Sequence, residues 1–216
     1  MILLPANCGR LTHLPHWCEF AMTPACRAGL VAGAVDPHTE KERAMSRPVV
    51  NIADIELQPR PAAFAPTGPA AERYDAKVGF IGPRIGAKKL GYNITAVPPG
   101  KRAYPFHSHQ VNEEMLFVLA GTGEVRIGKD VFPIRPGDII ACPPGGPETA
   151  HQLINTGTEE LRYLAVSTKQ SPEIAEYPET GRFGILGELA PNADGTPRRF
   201  MFMGRPDQSL DYWEGE

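Results

Sequence analysis

The chain lacks almost every feature that would place it in a specialised class. No apolar run approaches the ~18 residues of a membrane-spanning helix. The longest, Gly29 to Val35 and Met115 to Gly121, are strand-sized. Charge of one sign is not in excess: 22 Lys and Arg stand against 25 Asp and Glu, a formal −3. That balance is not the electrostatic footprint of a nucleic-acid binder. Cysteine is scarce, with Cys8, Cys18 and Cys26 near the start and Cys142 alone far from them. No disulfide framework can span such a chain, so a reducing, cytoplasmic setting is expected. The opening Met-Ile-Leu-Leu-Pro-Ala-Asn-Cys has no positively charged n-region, which speaks against a secretory signal. Internal repeats and low-complexity tracts are missing too. Residues 1–87 carry many prolines and no 3.6-residue periodicity, so a helix-turn-helix module is not expected there.

What is abundant is turn chemistry. The 22 Gly and 23 Pro make about 21% of the 216 residues, against roughly 12% in average usage. Spread along the whole chain, they exclude a helical bundle or coiled coil, whose helix interiors reject both residues. A globular core remains possible, because the hydrophobic fraction is 42%.

Four stretches read differently. Residues 1–44 hold three of the four cysteines and His13, His16 and His38, without strand alternation and without the paired C-x2-4-C spacing of a structural zinc site. They are expected to be a disordered extension. A sharper expectation takes Met45 as the functional start, so that beginning the chain there leaves melting temperature and metal content unchanged. Residues 45–87, with Pro48, Pro59, Pro61, Pro66, Pro69 and Pro83, read as an extended lead-in that wraps a domain and adds an edge strand. Residues 88–170 hold short apolar or alternating runs at 90–97, 102–107, 114–120, 124–128, 131–134, 138–142, 149–154 and 161–167. Pro98-Pro99-Gly100, Gly121-Thr122-Gly123, Pro136-Gly137 and Pro143-Pro144-Gly145-Gly146 punctuate them. Eight short strands in that span predict an all-β double-sheet jelly roll or barrel, which hides its edges. Residues 171–216 read as an irregular C-terminal extension packed on the barrel, with Arg199 to Met203 as its last apolar piece.

Beyond residue 44 the chain has three histidines, His107, His109 and His151. His107 and His109 are two apart in a β run, so both rings point to one face. Glu114 opens the next apolar strand after a bend at Gln110-Val111-Asn112, and it rejoins the inward face with Leu116 and Val118. His151 begins another alternation with Leu153 and Asn155. The pattern Gly100…His107-x-His109-x4-Glu114-x6-Gly121 resembles the first motif of the cupin superfamily. Gly137-x5-Pro143-x-Gly145…His151-x3-Asn155 resembles the second, fifteen residues further on, the short spacing common in small single-domain bacterial cupins. Gly100 sits one residue further from His107 than in the usual pattern, and three extra residues separate Gly145 from His151; both departures fall in turns.

The resemblance implies a jelly-roll barrel that holds one divalent metal through His107, His109, Glu114 and His151. Three imidazoles and a carboxylate are borderline-to-hard ligands, suited to Fe, Mn, Ni, Co or Zn. Glu113 competes with Glu114, but only Glu114 gives the x4 and x6 spacings. Cys142 reads as a small buried hydrophobe rather than a nucleophile. The expected pocket wall is Leu116, Val118 and Leu153. If Leu164 and Val166 also face inward, Arg162 stands at the rim as an anchor for a carboxylate or phosphate, or simply as a solvated residue. Tyr92, Arg102 and Tyr163 have no determined phase. The function so implied is a metal-dependent enzyme acting on a small oxygen-rich molecule, of dioxygenase, isomerase, decarboxylase or lyase type. A non-catalytic binding or sensor barrel is the alternative. The expected partners are a small-molecule ligand and a second copy in a homodimer, with no nucleic acid and no membrane.

Overall fold

A computed structural model describes residues 47–215. The expectations for residues 1–44, with their cysteines and histidines, and for a start at Met45 lie outside the described residues.

The architecture is all-β. Thirteen strands run through the described residues: β1 (Gln58–Pro59), β2 (Lys77–Phe80), β3 (Leu90–Val97), β4 (Ser108–His109), β5 (Glu114–Ala120), β6 (Gly123–Ile127), β7 (Asp130–Ile134), β8 (Ile139–Cys142), β9 (His151–Ile154), β10 (Leu161–Thr168), β11 (Glu173–Tyr177), β12 (Arg182–Leu189) and β13 (Arg198–Gly204). One short α-helix, α1 (Pro69–Arg73), interrupts the lead-in. The strands form an antiparallel sheet of order β1-β2-β3-β10-β5-β8, a three-stranded sheet β7-β6-β9 and a four-stranded sheet β13-β12-β11-β4.

Two apolar layers hold the large sheet. On its inner face Val97, Leu116, Val118, Ile140, Leu161 and Tyr163 pack against Val125, Ile134 and Leu153 of the three-stranded sheet. Val118 and Leu161 have no exposed surface, and each such burial stabilises by about 1.5–3 kcal/mol. On its outer face Ile94, Tyr92, Leu119 and Leu164 meet Val50, Ile55, Leu57, Ile81 and Ile85, all from the segment before β3. The proline-rich lead-in therefore covers what would otherwise be an exposed apolar sheet face.

Turn glycines set how closely the sheets approach. Gly121, between β5 and β6, has φ +75°, and a Cβ there would sit 2.5 Å from the carbonyl oxygen of Glu160. Both the left-handed backbone and the rigid backbone neighbour oppose any side chain. Gly121→Ala is expected to destabilise by about 2 kcal/mol or more, read as a lowered denaturation midpoint with unchanged m-value.

Two expectations are corrected. The run 102–107 is not a strand: Arg102 and His107 make only isolated bridges, to Tyr74 and Ile154 and to His151, and strand pairing resumes at Ser108. Pro105, which has no N–H to give a ladder, lies between them. The C-terminal stretch is not irregular. β11, β12 and β13 form a ribbon that joins the barrel where Ala175 and Glu176 pair with His109 and Ser108. Gly184 and Gly187 inside β12 weaken its strand signal.

Candidate metal centre

Three strands from separate parts of the chain bring the histidines and Glu114 together. His107 and His151 form an antiparallel bridge, with N–H to O=C distances of 3.2 and 2.7 Å. That close pairing puts their ring centroids 4.7 Å apart. His109, two residues along, lies 4.9 Å from the His107 ring and 5.7 Å from that of His151. Glu114 shares the inward face of β5 with Leu116 and Val118, while Glu113 is exposed. One ligand atom from each of His107, His109, Glu114 and His151 lies within 4.8 Å of all the others.

The bend that re-phases the chain between His109 and Glu114 is held from outside. Glu173 of β11 accepts hydrogen bonds from the backbone N–H groups of Gln110, Val111 and Asn112 at 3.1, 3.2 and 2.8 Å. Asn112 in turn accepts from the Thr168 hydroxyl and the Gln170 N–H at 2.8 and 2.7 Å. The same glutamate stands 3.7 Å from His109 Nδ1. Nδ1 of His107 lies 2.9 Å from the Pro105 carbonyl and that of His151 3.4 Å from the Thr149 carbonyl. Each ring therefore has a fixed oxygen behind it, the arrangement that orients a metal-ligating histidine.

Burial, followed by the neighbouring His151 and His109, depresses His107 to about 3, so its imidazole is neutral. Burial by itself would raise Glu114, but the neighbouring His109 and His151 rings hold its carboxyl well below the usual carboxylate range. Burial likewise opposes protonation of His109, and the Glu114 and Glu173 carboxylates outweigh it, lifting that ring above its ordinary value. Burial and then Glu114 push the Cys142 thiol up to about 12, which leaves no thiolate at neutral pH.

The donor set fits a divalent first-row cation. Glu114 approaches His151 Nε2 at 3.3 Å and His109 Nε2 at 3.6 Å, yet both nitrogens of His109 are buried without a hydrogen-bond partner. Such an orphaned group costs about 1–3 kcal/mol, and a cation at Nε2 would satisfy one of the two. Cation capture must displace the proton that the two carboxylates help His109 hold. Affinity is therefore expected to fall as pH drops below the raised His109 value, by roughly tenfold per pH unit for one proton. Calorimetric titration with zinc at several pH values reads this slope, and a flat profile would show that His109 gives up no proton.

The four clustered side chains separate two cavities. An inner one of ≈ 250 Å³ is walled by Leu116, Leu153 and Ala165, with Asn93, Tyr104, Gln152 and Tyr163 as its polar groups beside the four clustered residues. An outer one of ≈ 650 Å³ runs from His107, His109 and Glu114 to Tyr177, Leu186 and Met201 of the C-terminal ribbon. Of the expected wall residues, Leu116 and Leu153 line the inner cavity, whereas Val118 belongs to the solid core. Arg162 is not at the rim. It projects from the opposite face of β10, 52% exposed, and pairs with Glu160 at 2.6 Å. Leu161, Tyr163 and Ala165 are the buried face of β10, and Leu164 packs under the lead-in instead. Tyr163 and Glu173 are the site residues whose places the sequence left undetermined or missed. Glu173 carries no local signal, since the bend it holds lies about sixty residues away.

A family model for the cupin domain matches residues 93–167. Over 71 residues the chain is 37% identical to an oxalate-binding protein of Thermotoga maritima, covering 32% of this chain and 54% of that one. It is 32% identical over 71 residues to an uncharacterised protein of Methanocaldococcus jannaschii, covering 33% and 54%. The matched stretch thus spans about half the length of these curated relatives. The fold is similar to that of a cupin-superfamily protein of Silicibacter pomeroyi described as a sugar phosphate isomerase. That match has a TM-score of 0.60 and 22% identity, over 76% of this chain and 97% of that one. Among the described residues, no helix is long and apolar enough to cross a membrane.

Proposed function

We propose that this chain, which carries a cupin domain at residues 93–167, is a metal-dependent enzyme acting on a small, oxygen-rich molecule. The observation that carries the reading is the convergence of four N and O donors within 4.8 Å at the wall of a cavity. A divalent cation held by His107, His109, Glu114 and His151 would supply Lewis acidity and a template for substrate oxygens. The chain's own groups limit what enters and what reacts. At ≈ 250 Å³ the inner cavity is smaller than the ~300–1,000 Å³ of drug-sized sites, which favours a compact substrate. Tyr163 is fully buried there, and burial raises its phenol well above the ordinary value. It therefore stays protonated and offers a neutral hydrogen bond to a substrate oxygen. Gln152, whose amide donates to the Tyr104 carbonyl at 2.7 Å, is held with its oxygen free to accept. The names of two similar proteins, an oxalate binder and a sugar phosphate isomerase, support a polyoxygenated ligand.

One observation favours a second reading, that of a binding barrel without turnover. Besides the four ligands, the ionisable groups lining the inner cavity are the phenols of Tyr104 and Tyr163, so no obvious general base stands beside the substrate. Metal-reconstituted protein assayed with oxalate, other small hydroxy acids and sugar phosphates distinguishes the two. Turnover that disappears in Glu114→Gln supports the enzyme. Saturable, metal-dependent binding without product supports the barrel that only binds.

A further inference from the structure

Tyr177 has a second neighbourhood. One side of its ring stacks on His107, with centroids 6.0 Å apart and planes at 20°. Together with Phe64 it also lines a separate cavity of ≈ 450 Å³ that contains none of the four metal-centre residues. Three arginines line that cavity: Arg60 from the lead-in, Arg73 at the end of α1 and Arg182 at the start of β12. Three distant stretches of chain thus place an arginine around one space.

None of the three is neutralised. The arginine ion pairs among the described residues are Arg126 with Glu179 and Arg162 with Glu160. Glu179, the one carboxylate lining the cavity, is therefore already engaged by Arg126 from outside it. Aromatic rings hold the cations instead. Arg60 lies 4.4 Å from the Tyr104 ring centroid, Arg73 5.5 Å from Tyr74 and Arg182 5.6 Å from Tyr177. A ring face positions a guanidinium without using its in-plane N–H donors. Of five donors on each arginine, Arg60 uses one on the Ala103 carbonyl and Arg182 one on the Thr180 hydroxyl. The rest are available. Three like charges around one cavity repel each other until an anion enters.

We propose that this cavity is an oxyanion site that takes a phosphate group, either free phosphate or a phosphate ester. Three positive forks match a tetrahedral dianion with several acceptor oxygens better than they match a single carboxylate. The aromatic walls at Phe64 and Phe106 leave room for the organic body of an ester. The proposal does not depend on the activity proposed for the metal centre.

The test is a titration of full-length, chelator-stripped protein with inorganic phosphate at constant ionic strength, followed by calorimetry and phosphorus NMR. Saturable binding is expected in the wild type. It should weaken by at least about tenfold in Arg182→Gln and again in Arg73→Gln/Arg182→Gln, the scale of losing charge-assisted hydrogen bonds. Both side chains are exposed, and circular dichroism with melting curves checks that the variants fold. Arg73→Gln alone serves as the second variant if the double one does not. Glu114→Gln and Lys169→Gln, in the metal chambers, should leave phosphate binding unchanged. A parallel titration with phenyl phosphate separates the sources: tighter binding than phosphate assigns an ester, weaker binding the free ion. Phosphate that does not saturate in the wild type, binds equally in the arginine variants, or is lost in Glu114→Gln would overturn the proposal.

Discussion

Glu114→Gln is expected to strip the protein of most of its bound metal, whereas Glu113→Gln leaves the content per chain unchanged. The two side chains are neighbours in sequence and opposite in environment. Glu114 faces His109 and His151 at 3.6 and 3.3 Å, and Glu113 is exposed. The glutamine keeps the shape but removes the one anionic donor of the set, the charge that balances a divalent cation. Loss of an outer partner of a ligand typically costs 10–100-fold in metal affinity, so loss of the charged ligand itself should exceed about a hundredfold. His151→Ala should do likewise, because it deletes the one donor on β9. A second readout follows from topology. The ligands come from β5, from β9 and from the segment at β4, which belong to three different sheets, so a bound cation cross-links the barrel and stabilises it by mass action. A chelator should lower the melting temperature of the wild type and leave that of Glu114→Gln where it is. Full occupancy in Glu114→Gln alongside depletion in Glu113→Gln would overturn the ligand assignment.

The cluster of His107, His109, Glu114 and His151 was legible from motif spacing, His107-x-His109-x4-Glu114 with His151 further on, rather than from hydrophobic period. In β5, apolar from Met115 to Ala120, the spacing from His109 picks out Glu114, and counting by twos then sets it on the face of the buried Leu116 and Val118. β10 defeats the same procedure. Leu161, Tyr163 and Ala165 face the core, but Leu164 is also covered, by Ile55, Ile81 and their neighbours on the outer face. A strand packed on both sides carries no phase in its hydrophobicity. An inner set of Leu164 and Val166 would bring Arg162 to the rim, whereas the structure leaves it solvated and paired with Glu160. The lead-in that creates this ambiguity looks, as sequence, like a proline-rich connector, and its apolar residues acquire meaning only once the sheet they cover is known. The C-terminal ribbon was missed for a related reason. β13 reads Phe200-Met201-Phe202-Met203, apolar at every position and at least 41% exposed at each, and such a run shows no period from which a strand can be phased.

Glu173→Ala should produce the largest stability loss of any single change around the site. The residue is 7% exposed. Its carboxylate gathers the N–H groups of Gln110, Val111, Asn112 and Ile174, at 3.1, 3.2, 2.8 and 2.9 Å. It also takes the side-chain amide of Asn112. Alanine leaves these donors facing an apolar methyl in a partly buried loop. Water can reach some of them, since Gln110 is exposed, but the backbone N–H of Asn112, a residue 7% exposed, stays without a partner. Hydrogen bonds to a charged group contribute about 1.5–3 kcal/mol each, so a net loss of roughly 3 kcal/mol or more is expected even with partial rehydration. For a chain of this size that is a fall of about 6–12 °C in melting temperature. Glu173→Gln should lose less, because its carbonyl keeps one set of N–H partners while its NH2 group confronts the other. The same substitutions test a positioning role, since Glu173 also stands 3.7 Å behind His109 Nδ1. If it orients that ring, Glu173→Gln should lower metal affinity by 10–100-fold under conditions where circular dichroism shows the fold intact. A variant with wild-type metal affinity and a lowered melting temperature would confine Glu173 to holding the bend. One with a wild-type melting temperature would mean that the bonds seen at its carboxylate are matched by water in the unfolded chain.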